Sequence, residues 1–452
     1  MSAGLVQGSK RPPWAAAFLL MVAYALSWTD RTLPAILIEP MKASLDASDV
    51  QLALLTGFAF ALCHATLAVP FSWIADRWDR AKLIMIGIIV WSALTIACGF
   101  APDFETLFVA RMGVGLGEAV LLPAAYSLIS DRFSREDRPR ALMIFVLGMS
   151  IGSATAFLGG AALHDYFRDS APAWIGGLDP WRAVFVCVGA AGFAVAALML
   201  LLPEPRRHGA RSRAEGEKAE PAADTRAFLA FVGKAASFLV PLVVAVTLCN
   251  LFVNGYVGWL APLFSRSYGW SLPQIGSAIG IASLAAGVAG APLAAWAMGV
   301  IGKRRHRDAA VTVLVLAVAG MLPFAALSPL APAGGLAFAG IFVALTLTSF
   351  AAVAAPAAIV NSAPVSMRAR VSAVYLLIAN LVGSGFGMTV FALATDHVFR
   401  DPGKLYLSLA SVSALLLGVA FCCLVLADRR YERVMRMSGE AIDSTKAQPA
   451  RR

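Results

Sequence analysis

Apolar runs of about 18 residues or more recur along nearly the whole of this 452-residue chain, and they constrain its fold more than any motif does. Each run is long enough to cross roughly 30 Å of hydrocarbon as a helix. Inside lipid only helices and closed barrels satisfy their own backbone hydrogen bonds, and the continuous apolarity of these runs selects helices. With 59% hydrophobic and 14% charged residues and a mean hydropathy of +0.74, the chain has more apolar surface than a water-soluble interior could hold. The reading is an all-α integral membrane protein. Twelve spans fall near 14–38, 51–75, 82–101, 104–130, 140–163, 181–203, 236–264, 272–300, 308–328, 333–361, 370–394 and 404–427.

Charge orients these spans. Of 37 Lys and Arg, twenty-nine lie in the two tails and in the loops after spans 2, 4, 6, 8 and 10. Only Lys42, Arg168, Arg182, Arg266, Arg400 and Lys404 lie on the opposite side, and Arg31 and Arg111 lie within spans. Cations concentrate on the cytoplasmic side. Both termini are therefore expected in the cytoplasm of a bacterial cell, with the chain crossing the inner (plasma) membrane many times. The same alternation explains the net charge of +10 without nucleic acid. The N-terminus "MSAGLVQGSKRPPW" has no A-x-A-like cleavage site, so the first run reads as a retained span. The six cysteines all sit in apolar runs without CxxC or Cys/His ligand spacing, and they read as small buried hydrophobes. No metal and no cofactor is expected.

The polar stretch "PEPRRHGARSRAEGEKAEPAADTR" splits the spans into two groups of six. The expected organisation is an N-terminal half over 1–203, a cytoplasmic linker or surface helix over 204–235, a C-terminal half over 236–427 and a basic tail over 428–452. The halves echo each other. "FSWIADRWDRAK" after span 2 aligns with "AAWAMGVIGKRR" after span 8, and "REDRPRAL" before span 5 with "VSMRARVS" before span 11. Paired six-span repeats are a transporter architecture.

Ionisable residues away from the span ends are few: Asp30 and Arg31 in span 1, His64 in span 2, Arg111 and Glu118 in span 4. The last six spans have none. Four such charges facing lipid would cost about 10–14 kcal/mol, so they face protein or water, and pairing is the least costly arrangement. Arg111 and Glu118 are two turns apart on one face of span 4. Counting rise from the outer ends puts Asp30, Arg31 and Arg111 at similar depth, with Glu118 about 10 Å deeper. Two acids and two bases are thus expected around a cavity in the first half. Such a cluster can be structural glue, or it can carry protons: an acid whose arginine can be drawn away becomes free to take one up. In "GVGLGEAVLLP" the glycines around Glu118 admit either a neighbouring backbone or a ligand. His64 reads as a hydrogen-bonded span residue or a relay member.

At these residues the sequence resembles the major facilitator superfamily. "SWIADRWDRAK" is similar to that family's signature loop after span 2, G-x-x-x-D-R-x-G-R-R/K, with Ser72 and Asp79 in place of the glycines and Asp76, Arg77, Arg80 and Lys82 fitting. The resemblance implies that these four brace the cytoplasmic gate. "SWTDRTLPAILIEPM" and "RMGVGLGEA" resemble the spinster group, which implies that Asp30 and Glu118 are proton-coupling acids and that Arg31 and Arg111 partner them or an anionic head group. "LIANLVGSGFG" in span 11 is also similar and points to Asn380. Anion and sugar-acid symporters share a related pattern. Span 5, "GMSIGSATAFLGG", lacks the G-P pair of the antiporter signature.

On the substrate side, "CNLFVNGYVGWLAPLF" in span 7 places Asn250 and Asn254 on one face with Tyr256 and Trp259 close by. These residues, with Tyr24, His64 and Asn380, form the candidate cavity lining, although helix packing also accounts for the asparagines. Amides and aromatics in an uncharged half suit an amphipathic ligand, its head near Arg31 and Arg111 and its tail along span 7. The resemblance implies lysolipid or sphingoid-like cargo. The expectation is a proton-coupled transporter working as a monomer, its partners being substrate, protons and lipid. Organic-anion or sugar-acid symport and multidrug export remain alternatives. An enzyme is disfavoured because the chain has no HExxH, GxSxG or histidine cluster.

Overall fold

The computed structural model describes residues 13–446 except 76, 135, 171, 174–175, 203, 205–224, 305–307 and 365–366. Among the described residues the regular elements are all helices. Eleven of them, from Asp49–Leu67 onward, are long and apolar enough to cross a membrane. Pro13–Ile36 is the remaining span, its mean hydropathy lowered by Ser27, Thr29, Asp30 and Arg31. The fold is the twelve-helix membrane architecture expected.

Most boundaries agree with the sequence reading within a few residues, and three do not. Span 5 runs over Arg138–Ser170, beyond its apolar stretch, because nothing in "HDYFRDS" breaks a helix. Span 7 runs over Thr225–Gly258, so its helix begins inside the segment expected as linker. It then breaks at Trp259 (φ −97, ψ 2), and a separate helix, Leu260–Tyr268, follows. That short helix ends at Gly269 in the left-handed region (φ 66), with the Trp270 N–H bonded to the Phe264 carbonyl, a C-terminal cap that favours glycine. Span 12 runs over Leu405–Lys446 and continues through most of the segment expected as tail.

The chain divides into two compact units. The first holds the described residues up to 218 together with Val257–Leu284; the second holds those from 225 to Tyr256 and from Ala285 onward. Within the first unit span 1 packs chiefly on span 5 and span 3 on span 6. The span 1–span 5 contact is backbone to backbone: a methyl on Gly148 would lie 2.5 Å from the Met21 carbonyl, and one on Gly152 would run into the Ala25 carbonyl. Thr29 Oγ1 adds a hydrogen bond to the Gly152 carbonyl at 3.1 Å. Span 4 is wedged in the same way, Gly115 against the Phe60 backbone of span 2 and Gly117 against the Trp91 backbone of span 3. Close approach of this kind replaces the hydrophobic driving force that lipid cannot supply.

The second unit repeats the scheme. Span 9 (Ala309–Leu327) packs on span 10 (Gly334–Asn361) and span 12. Gly255 and Gly387 bring span 7 and span 11 into backbone contact. Span 11 (Arg368–Ile378, continuing to Phe399) contains two π-helical turns, Ala379–Ser384 and Ala394–Phe399. Asp308 caps span 9 by accepting from the N–H groups of Ala310 (2.7 Å) and Val311 (3.3 Å). It also accepts from Asn361 Nδ2 at 3.0 Å and from the Tyr431 hydroxyl at 3.3 Å.

Candidate functional site

The mid-span charges of the first unit meet. Arg111 Nη1 lies 3.4 Å from both Asp30 Oδ1 and the Asp30 carbonyl oxygen, and Thr95 of span 3 donates its hydroxyl to Asp30 Oδ2. One turn deeper on span 1, Ser27 Oγ donates to Glu118 Oε2 at 2.6 Å. Asp30, Arg111 and Glu118 are all buried. The depth ordering read from helical rise is therefore reproduced, with Asp30 opposite Arg111 and Glu118 below them. The glycines beside Glu118 serve neighbouring backbones, as the Gly115–Phe60 and Gly117–Trp91 contacts show.

The pairing differs from a simple two-by-two set. Glu118 takes a serine hydroxyl, and Arg31 makes no ion pair with either acid. The Arg31 guanidinium is instead held over two rings, 5.0 Å from the centroid of Trp28 and 4.7 Å from that of Phe60. It is half-buried and has no hydrogen-bond partner among the described residues. His64 stacks on the other aromatic neighbour, Phe60, with centroids 5.0 Å apart. Tyr24 stacks on Phe145 at 4.6 Å and meets Trp28 edge-on at 6.3 Å. Arg111 Nε and Nη2, Glu118 Oε1 and His64 Nδ1 are buried without a hydrogen-bond partner among the described residues. A cluster with this much spare hydrogen-bonding capacity is equipped to take up water, a proton or a ligand.

In the second unit Asn254 Nδ2 donates to the carbonyl and to the side-chain oxygen of Asn250, at 2.9 and 2.8 Å. Asn380 lies exposed on the first π turn of span 11. Tyr256 is buried against Phe252; Trp259, which belongs to the first unit, is buried with Arg266 over its ring at 5.7 Å. Both aromatics therefore pack inside the protein in this structure and do not line an open surface.

The gate-loop residues separate. Asp76 lies outside the described residues, and Arg77 sits in the turn after span 2, its N–H on the Ile74 carbonyl at 3.0 Å. Arg80 is buried and bonds Asp131 Oδ2 (2.5 Å), Ser127 Oγ (2.7 Å) and Glu204 Oε1 (2.8 Å), tying span 3 to the ends of spans 4 and 6. Lys82 is exposed and, among the described residues, pairs with Asp79, 3.5 Å away. Asp79 itself caps span 3 through the Lys82 N–H at 2.9 Å, so a residue that replaces a signature glycine has its own local role.

A second charged cluster was not legible in the sequence. Arg266, after the break in span 7, bonds Glu39 Oε1 (2.8 Å) and both oxygens of Asp49 (2.6 and 2.9 Å). Lys42 Nζ reaches Asp49 as well, at 2.5 Å. Burial alone would lower the Arg266 pKa, but its bonds to Asp49 and the charge of Glu39 outweigh this and hold it above the ordinary value. All four belong to the first unit. Among the described residues no group of three or more His, Cys, Asp or Glu could hold a metal ion.

Comparisons with known proteins bear on this geometry. The family profile of the Major Facilitator Superfamily matches residues 20–388. Over 437 residues the chain is 28% identical to an MFS-type efflux pump of Mycolicibacterium smegmatis, with 94% of each protein covered. Over 164 residues it is 30% identical to the sphingosine-1-phosphate transporter SPNS2 of Xenopus tropicalis, covering 35% of this chain and 31% of that protein. Over 208 residues it is 29% identical to protein spinster homolog 1 of Bos taurus, covering 45% and 37%. The match thus spans about a third of either animal protein. A bacterial homolog of the human lysosomal transporter Spinster, solved in an inward-facing and unoccupied conformation, superposes with a TM-score of 0.73 at 24% identity over 95% of this chain and 98% of that one. At that identity the likeness is one of fold.

Proposed function

The chain belongs to the Major Facilitator Superfamily, a family of membrane transporters and not of enzymes, and from that premise we propose that it couples proton movement to alternating-access transport of an amphipathic anion of the lysophospholipid kind. The observation that carries this reading is Arg31: a half-buried guanidinium, flanked by Trp28 and Phe60, that no acid neutralises by direct contact. Such a group offers a charged, planar donor fork to an anionic head. Asp30 and Glu118 supply the proton-linked acids, each held by a hydroxyl that can donate to a carboxylate or accept from a carboxyl. Arg111 neutralises Asp30 in its ionised form. The partial likeness to a sphingosine-1-phosphate transporter supports a lipid-like cargo.

A second reading, multidrug export, is favoured by the full-length likeness to an efflux pump. Flux of a labelled lysophospholipid in proteoliposomes, with and without a pH gradient, separates the two. Gradient-stimulated flux is expected in the wild type and is expected to fall by about tenfold or more, the equivalent of ~1.4 kcal/mol, in Asp30→Asn and Glu118→Gln. Gradient-driven movement of a cationic drug with no lysolipid flux would replace the first reading by the second.

A further inference from the structure

The two asparagines of span 7 are not equivalent, and their hydrogen bonds decide which way each amide faces. Asn254 Nδ2 lies 2.9 Å from the Asn250 backbone carbonyl, which can only accept. The atom of Asn254 at that position must therefore be nitrogen. The same nitrogen lies 2.8 Å from the Asn250 side chain, so the atom facing it there must be the Asn250 oxygen. Ser384 Oγ, at the end of the first π turn of span 11, reaches that oxygen too, at 3.5 Å. With its acceptor turned into this contact, Asn250 is left with its –NH₂ pointing away. That group is half-buried and has no acceptor among the described residues.

The packing holds this orientation. A methyl on Gly383 would lie 2.5 Å from Asn250 Oδ1 and 2.8 Å from its Cβ, so only a glycine lets span 11 come this close. The π turn Ala379–Ser384 places Gly383 and Ser384 against Asn250. Asn250 is eight residues before Gly258, the end of the span 7 helix, or about 12 Å along the axis. At that depth an amide donor without an acceptor is costly, and it is satisfied by water or by a ligand.

We propose that Asn250 is a specificity-determining residue that donates a hydrogen bond to an acceptor oxygen of the transported molecule, with Asn254, Ser384 and Gly383 as positioning residues. This assignment deepens the proposed function and rests on it. The strongest acceptors of a lysophospholipid are its phosphoryl oxygens and its ester carbonyl, and either has the required chemistry. Asn254 spends its donor within the protein, so of the two asparagines it is Asn250 that selects for acceptors.

The test is equilibrium binding of radiolabelled 1-acyl- and 1-alkyl-lysophosphatidate to the full-length protein in nanodiscs, alongside proteoliposome flux. Asn250→Asp keeps the shape and replaces the donors by an acceptor. It is expected to weaken binding of the acyl probe by about tenfold or more, raising KM while Vmax stays near the wild-type value. Asn250→Ser removes the –NH₂ with less change of charge and is expected to act in the same direction; it is the variant to use if Asn250→Asp does not fold. Ser384→Ala is expected to give a smaller rise in KM of about threefold. An equal loss for both probes assigns the bond to the phosphoryl oxygen, and a loss confined to the acyl probe assigns it to the carbonyl. Folded Asn250 variants that bind both probes as tightly as the wild type would overturn the assignment and leave the functional reading standing. A wild type that binds neither probe would overturn the functional reading and the assignment together.

Discussion

At the scale of single residues, the charges were legible and their hydroxyl partners were not. Asp30, Arg31, Arg111 and Glu118 stand out because charge inside an apolar run is costly, and helical rise alone puts Asp30 opposite Arg111. Ser27 and Thr95 complete the two carboxylate contacts, yet a hydroxyl inside a span costs little and is common, so neither could be singled out beforehand. The glycines show the opposite case. Gly115 and Gly117 were readable as close-approach positions beside Glu118, but only the structure shows that backbone, and not ligand, occupies the space, as it does at Gly152. Gly152→Ala is accordingly expected to lower stability by about 1–3 kcal/mol, because its methyl meets the Ala25 carbonyl and neither backbone can yield locally. A fall in the thermal midpoint of the purified protein checks this, and an unchanged midpoint would mean that spans 1 and 5 are not in backbone contact.

At the scale of elements, hydropathy located every span because the bilayer imposes a length, and it failed where helices outrun the bilayer. Spans 5, 7 and 12 extend past their apolar stretches, since helix propensity does not stop at the lipid surface. The break at Trp259 escaped for a related reason: the apolar run continues through it while the backbone does not. That break turns the short helix Leu260–Tyr268 and its Arg266 toward Glu39 and Asp49, a contact between residues more than two hundred positions apart. Arg266→Gln would leave Asp49, which is fully buried, with Lys42 as its cationic partner in this cluster. Removing one member of a buried ion pair is expected to cost about 3 kcal/mol, read as a lowered unfolding midpoint. The double variant Arg266→Gln/Asp49→Asn should recover part of the loss, and a double variant less stable than Arg266→Gln alone would show that the two residues do not act as a pair.

At the scale of the whole molecule, the internal repeat seen in two short loop motifs extends to packing. Spans 1 and 5 and spans 7 and 11 each meet through glycines, and the starts of spans 3 and 9 are each tied to the ends of the spans that follow them, by Arg80 in one unit and Asp308 in the other. The Asp308 tie pairs a carboxylate with uncharged side chains where the Arg80 tie uses ion pairs, which is why loop charge alone did not reveal it. The grouping of Val257–Leu284 with the first unit had no sequence signal, because it depends on contacts and not on chain order. The alternation of Lys and Arg does carry an expectation about topology: tags at both ends of the chain should be reached by antibody only after the bacterial inner membrane is permeabilised. Labelling of either end in intact spheroplasts would reverse or break that topology.

The backbone contact between spans 1 and 5 has a consequence for how a protein like this diversifies. Gly148, Gly152 and Thr29 fix span 1 by its main chain, so the helix that carries Asp30 and Arg31 has no room to tilt or rotate as neighbouring side chains change. At span 1, descendants of this sequence can then acquire new cargo by exchanging the side chains around that charged turn, such as Ser27, Trp28 or Phe60. Laboratory selection for altered cargo should therefore enrich substitutions there and leave the two glycines untouched.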